Sequence, residues 1–479
     1  MKVKLNIHGM SMREIAQACD GTLTYTGNTD KIMVNAICTD SREADVGTLF
    51  IALKGEKTDG HKYIGDVLKK GCRFVLCEDF APSDLTSDCA VIRVCDSLRA
   101  IGDIAAAYRK DSYCKRIAIT GSVGKTTTKE YVAAVVGQKY KTSKTPGNHN
   151  SWLGMPMAML GEDPECEASV LEMGMSARGE ISHLSKTAKP DIALITNIGT
   201  AHLEILKTRE NICRAKAEII DGLKEGGLLI LCGDEPLLRG LGSKNFSTVY
   251  VSLENKDSDY RATNIVSCDG QTVFDLICRD KTVEKIKINL IGNHNVIAAA
   301  FAYAVGESLG LCEEEIRRGL LSFHGSEMSM RQNIYRLGDI TVVEDCYNAS
   351  PESMRAASSV LSQLCEADPN SRSVAVLGDM RELGESSKVL HRQVGEYFAK
   401  NKTGLLFTFG KNAVDIAKGA IDAGMSENAV FVNDDIEAPT LTADMLKKEL
   451  RKGDIVLFKA SRAVAAERII ELIKNYNQR

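Results

Sequence analysis

The run Ile117-Ala-Ile-Thr-Gly-Ser-Val-Gly-Lys-Thr-Thr-Thr128 joins a short apolar strand to a helix through a turn with glycines at 121 and 124. Few local sequences commit a chain so far. The strand needs neighbours, the turn presents successive backbone N–H groups, and the helix aims its partly positive N-terminus at the same point, so the segment reads as a phosphate-binding loop in an α/β sheet. Gly121 and Gly124 allow the turn, and Ser122 and Val123 supply amides between them. Lys125 would reach the β- and γ-phosphates, and the Thr126 hydroxyl, followed by Thr127, would serve magnesium. Ile119 stands where the common Gly-x-x-x-x-Gly-Lys-Ser/Thr pattern has its first glycine. The setting compensates, because Ile117 to Ile119 form a buried-strand run and Val132, Val135 and Val136 recur at helical spacing beyond the loop.

A chain of 479 residues is too long for one core and predicts about three domains. A net charge of -4 with no long basic block gives no reason to expect nucleic acid or an anionic membrane as partner. The longest apolar run, Val296 to Val305, is too short to span a bilayer, so no membrane insertion is expected. The opening Met-Lys-Val-Lys-Leu-Asn-Ile lacks the apolar core and cleavage site of a secretory signal. The fifteen cysteines include no Cys-x-x-Cys and are expected as reduced, mostly buried thiols. Together these points predict a cytoplasmic protein.

The expected architecture is α/β in three domains. Residues 1–96 form a small N-terminal α/β domain with strands at Gly47 to Leu53 and Arg73 to Cys77 about a helix near Tyr63 to Lys70. Residues 97–333 hold the phosphate loop, and apolar runs at Ser169 to Met173, Asp191 to Ile198 and Leu228 to Gly233 alternate with helical segments, the βαβ rhythm of a parallel sheet of the P-loop ATPase kind. Residues 334–479 repeat that rhythm at Thr341 to Asp345, Ser373 to Gly378, Leu405 to Gly410 and Asp454 to Lys459, which predicts a Rossmann-like α/β domain.

Ligands of open α/β sheets bind at the carboxyl ends of the strands. Glu172 ends one central strand, so its carboxylate is placed to hold magnesium directly or through water. The next strand runs into Gly199-Thr-Ala-His202 and delivers a histidine to the same edge. Lys216, within Ala215-Lys-Ala-Glu-Ile219, reads by itself as a surface charge on a helix.

Thr120-Gly-Ser-Val-Gly-Lys-Thr-Thr127, Leu171-Glu-Met-Gly174, Thr196 to Glu204 and Ala215 to Ile219 resemble, in order and spacing, the motifs of the Mur ligase family, ATP-dependent amide-forming enzymes of peptidoglycan precursor synthesis. Thr39-Asp-Ser-Arg42, Gly292-Asn-His-Asn295, Arg331, Asp345-Cys-Tyr-Asn-Ala-Ser-Pro351, Leu377-Gly-Asp-Met380 and Lys459-Ala-Ser-Arg462 extend the likeness over essentially the whole chain. The Asp345 to Met354 run and the Gly378 to Gly384 loop are most similar to the branch that joins D-alanyl-D-alanine to a UDP-N-acetylmuramoyl-tripeptide. The Asp-Asn-Pro-Arg motif of the branch adding the third residue is absent. Ala298 departs from the family, whose members often place a second Asn there.

The resemblance implies these two substrates, ATP, two magnesium ions, and a monomer. It implies that Lys125 and the loop amides hold the triphosphate, that Thr126 and Glu172 hold one magnesium, and that His202 and Lys216 serve a second. A lysine ammonium cannot ligate a cation, so Lys216 would act as a carbamate. Asn295 would approach adenine, Arg331 the phosphates and Asp345 the ribose. Ser41, Arg42 and Asp59, with Asn148 and Asn150, are candidates for the UDP-sugar end, and equally for turn and capping roles. Ser461 and Arg462 follow a strand end. Arg462 would pair with the dipeptide carboxylate or make a structural salt bridge. The competing readings are a sister ligase adding one amino acid or glutamate, and a protein that binds ATP as a switch without making amides.

Overall fold

The computed structural model describes residues 1–26, 33–55, 58–79, 88–268, 270–325 and 330–474. Three large sheets succeed one another along the chain. The first has six strands in the spatial order Lys2–Lys4, Ala36–Cys38, Thr48–Ile51, Phe74–Cys77, Cys89–Arg93, Thr22–Thr26, with the inner four parallel and the outer two antiparallel. Thr48–Ile51 and Phe74–Cys77 are buried at every residue, since helices cover both faces: Met12–Ala18 packs on one and Ile64–Lys69 on the other.

The central sheet has nine strands. Seven are parallel, in the order Thr142–Lys144, Ala168–Glu172, Lys115–Thr120, Ile192–Ile195, Leu228–Cys232, Ser247–Ser252 and Tyr260–Cys268. Gln271–Cys278 and Lys281–Ile288 then continue it as an antiparallel ribbon. That ribbon goes beyond the parallel sheet the sequence suggested. Its signal is the period-two burial of Thr272, Phe274, Leu276 and Cys278 rather than a solid apolar run. The chain order reverses around Lys115–Thr120, which sits between Ala168–Glu172 and Ile192–Ile195. The loops leaving the carboxyl ends of these three strands therefore open side by side, at the crevice where such sheets take ligands.

The third sheet orders Asn333–Leu337, Ile340–Glu344, Ile455–Lys459, Ser373–Gly378, Leu405–Phe409 and Val430–Asn433, parallel apart from its first hairpin. One apolar cluster fills each face. Among the described residues no helix is long and apolar enough to cross a membrane.

Candidate active site

The phosphate loop is built before any ligand arrives. Gly121 takes φ +151°, and a Cβ there would fall 1.8 Å from the Thr196 hydroxyl, so no other residue fits. Gly124, at φ +81°, ends the turn and starts the helix Lys125–Val136. The N–H groups of Ser122 and Val123 donate to the Asn197 side-chain oxygen at 3.1 and 2.9 Å. The Thr196 hydroxyl donates to the Val123 carbonyl at 2.6 Å, and the Gly199 N–H to the Ser122 hydroxyl at 2.9 Å. Asn197 thus occupies amides that a phosphate would otherwise engage. Sequence reading left it without a role.

Lys125 folds back on its own loop, donating to the Gly121 carbonyl at 2.9 Å. Desolvation in the cleft holds its ammonium below the ordinary lysine range, with Arg331 adding to the effect and Glu172 opposing it. The Thr126 hydroxyl donates to Glu172 Oε2 at 3.0 Å, and Asn150 Nδ2 to Oε1 at 2.7 Å. Glu172 is buried, and Lys129, buried as well, brings its ammonium to 3.7 Å from Oε2 while donating to the carbonyls of Thr145 and Gly147. Lys129 is a second residue that the sequence did not single out. It pairs more closely with Glu130, at 3.1 Å, lies beside the Glu172 carboxylate and ties down the segment that carries Asn148 and Asn150.

Lys216 is the largest surprise. On the short polar helix Arg209–Ala217 it is only 2% exposed and lines the cleft. Among the described residues its ammonium has no hydrogen-bond or ion-pair partner within reach, and burial together with the neighbouring Lys125 drives it well below the usual lysine range. His202 adopts φ +63° and brings Nδ1 to 2.6 Å from Glu382 Oε2, a contact that holds the Glu382 carboxyl below its ordinary value.

The facing wall comes from the C-terminal sheet and the helix Asn293–Ser308. Arg331 stacks on Tyr347 at 3.9 Å, and Asp345 accepts from Lys459 Nζ at 2.6 Å. Asn295 donates to the Ile291 carbonyl and to Gln332 Oε1, each at 2.8 Å. Ala298, one turn further along that helix, is buried, and Ile297 and Phe301 line the cleft beside it. The cleft holds about 630 Å³ and is lined by Ser122 to Thr128, Asn148, Asn150, Glu172, His202, Lys216, Asn295, Arg331 and Asp345 among others. A larger hollow, about 820 Å³, lies between the first helix and the central sheet, away from the carboxyl edge and from these residues.

The remaining candidates lie outside the cleft. The Ser41 carbonyl accepts from Lys70, and the exposed Arg42 chelates its neighbour Asp40 at 2.6 Å. Asp59 caps the turn Gly60–Tyr63, accepting the His61 N–H at 3.0 Å. The buried Ser461 hydroxyl accepts the Arg381 N–H at 3.0 Å, and Arg462 pairs with Glu467 at the surface.

Hard oxygen donors from Thr126 and Glu172 suit magnesium, and a buried lysine with no anionic partner among the described residues suits conversion to an anion. Comparison with known proteins identifies the family. Family models match in three consecutive stretches: the Mur ligase family catalytic domain at residues 33–109, the Mur ligase middle domain at 119–306 and the Mur ligase glutamate ligase domain at 330–462. The chain is 37% identical over 464 residues, 96% of its length and 97% of the relative's, to the UDP-N-acetylmuramoyl-tripeptide–D-alanyl-D-alanine ligase of Bacillus subtilis. It belongs to the Mur ligase family. The corresponding Escherichia coli ligase is 31% identical, with 92% and 94% of the two chains covered. Among solved Mur ligases, MurF from Acinetobacter baumannii superposes with a TM-score of 0.86 at 30% identity, covering 98% of this chain and 99% of that one. MurF from Thermotoga maritima in complex with ADP gives 0.82 at 30% identity, with 92% and 97% covered.

Proposed function

We propose that the protein joins D-alanyl-D-alanine to UDP-N-acetylmuramoyl-tripeptide with ATP and magnesium, as a cytoplasmic monomer. The likeness to ligases of that name over nearly the full chain supports the substrates, and fifteen cysteines with no disulfide among the described residues suit a reducing compartment. The observation that carries the chemistry is the convergence of Lys125, Thr126, Glu172 and the buried Lys216, without an ionic partner among the described residues, in one cleft closed by Arg331 and Asp345.

A carboxylate resists attack by an amine because its anion repels nucleophiles and oxide leaves poorly. Transfer of the γ-phosphoryl group of ATP to the tripeptide carboxylate gives an acyl phosphate, and the dipeptide amine displaces phosphate from it. The protein's part is positioning and charge neutralisation. Lys125 leaves its loop carbonyl contact for the phosphates, and the Ser122 and Val123 amides exchange Asn197 for phosphate oxygens. Arg331 neutralises charge from the facing wall, Asp345 takes the ribose and Asn295 the adenine side. Magnesium would be held by Thr126 and Glu172 at one position and by His202 and Lys216, as its carbamate, at a second; when bound it neutralises the transferring phosphoryl group. Asn150, hydrogen-bonded to Glu172, and Asn148, on the segment that Lys129 ties down, are assigned to the UDP-sugar end. Ser41, Arg42 and Asp59 are assigned to the UDP end, and Ser461 and Arg462 to the dipeptide side.

Phosphate release by the purified protein, assayed with each acceptor and amine pair, tests this. Release dependent on the tripeptide and D-alanyl-D-alanine is expected. Release that requires glutamate and a folate, or a single amino acid, would replace this reading with a sister ligase, and ATP binding with no amide product would leave only a switch.

A further inference from the structure

The segment 199–204 of the central domain, which carries His202, is held at both ends by the C-terminal domain, by a carboxylate at one and a backbone carbonyl at the other. Glu352, in the first turn of the helix Pro351–Ala367, accepts the Thr200 N–H at 2.9 Å and its hydroxyl at 3.0 Å. It packs so closely that a Cβ on Gly199 would meet its carboxylate carbon at 2.8 Å. At the other end the Glu382 carbonyl accepts the Glu204 N–H at 3.0 Å, and Gly384 lies against the Glu204 backbone. Between these anchors Glu382 Oε2 reaches His202 Nδ1 at 2.6 Å. The ring N–H is not aligned on the oxygen, and the terminal torsions that set its direction are soft. Both His202 and Glu382 sit at positive φ, +63° and +64°, so the pairing is imposed by the docked domains rather than by local preference.

A ligating imidazole as a rule gives its second N–H to a carboxylate or carbonyl, which fixes the tautomer and makes the ligating nitrogen more basic. Magnesium prefers oxygen, so an imidazole ligand gains most from such help. We propose that Glu382 is the positioning residue for His202: it holds the ring as the Nδ1–H tautomer, with Nε2 left for the metal, and it does so only when the C-terminal domain is docked. The inference rests on His202 serving magnesium, as given above.

The test uses the full-length, metal-free protein labelled with [15N]histidine, with the His202 signal identified by its loss in His202→Asn. Long-range proton–nitrogen correlation should show the Nδ1–H tautomer in the wild type and the Nε2–H tautomer in Glu382→Ala. Glu382→Gln is isosteric and retains an acceptor without the charge. It should keep the wild-type tautomer and still bind Mn2+ more weakly in the presence of a non-hydrolysable ATP analogue, and in Glu382→Ala that affinity should fall by about 10- to 100-fold. An Nε2–H tautomer in the wild type, or Mn2+ affinity unchanged in both variants, overturns the proposal. A wild type that shows the expected tautomer yet makes no amide would instead remove the proposed function.

Discussion

Replacing Lys216 by Met should stabilise the free protein while crippling it. The residue is 2% exposed, and its ammonium has no anionic partner among the described residues and lies near Lys125. Exchanging uncompensated buried charge for an apolar chain of similar volume gains roughly 1–4 kcal/mol. At about 3 °C per kcal/mol for a domain of this size, that is a rise of about 3–12 °C in Tm. The pH dependence gives the sharper check. Because the folded pKa is depressed, the unfolded chain holds a proton that the folded one lacks between that pKa and the unfolded value of about 10.4, so wild-type stability climbs with pH through this window at up to about 1.4 kcal/mol per unit. Met has no such proton, so the variant's advantage is full below the window and closes toward pH ~10. Urea unfolding of both proteins across that range in carbon-dioxide-free buffer measures it. A variant less stable than the wild type at every pH, or an advantage that does not change with pH, would show that Lys216 is not a buried, unpartnered cation.

Lys125→Ala should keep its Tm to within a few degrees and lose at least about 10²- to 10³-fold in phosphate release, because the lysine acts on charge that develops during transfer; turnover near normal contradicts the loop assignment. Asn197→Ala removes the oxygen that competes with phosphate for two loop amides and should lower the KM for ATP more than it changes kcat; a raised KM in steady-state kinetics would contradict that exchange. Gly121→Ala places a methyl 1.8 Å from the Thr196 hydroxyl and should cost roughly 1–3 kcal/mol in urea unfolding along with ATP binding; a stable variant that binds ATP normally would mean the loop yields easily. Ala298→Asn adds an amide one turn from Asn295 and should sharpen the preference for ATP over GTP, measured as a ratio of kcat/KM.

The phosphate loop was legible because its chemistry requires glycines and a lysine contiguous in the chain. Glu172 was legible because a strand's end can be read from its apolar run, and the strand boundaries agree to within a few residues. The burial of Lys216 was not. Its helix reads Arg-Glu-Asn-Ile-Cys-Arg-Ala-Lys-Ala, polar on most faces, and only packing between elements removes the lysine from water. Asn197, Glu352 and Glu382 were missed for a related reason, since their partners lie 74, 152 and 180 residues away or on backbone atoms that no side-chain pattern encodes. Ser41, Arg42 and Asp59 show the converse: residues that suit a turn occupy one, as their chemistry allows.

The C-terminal sheet seats its last-made strand, Ile455–Lys459, between Ile340–Glu344 and Ser373–Gly378. During synthesis the phosphate loop can therefore be complete while the wall opposite it is still split in two, with Asp345 lacking Lys459. At about 5–20 residues per second this interval lasts several seconds or more, during which two apolar strand edges stand open and no nucleotide can be enclosed. A proteolytic nick before residue 455 that freed the segment beyond it is expected to reopen the same gap and to release Asp345 from Lys459.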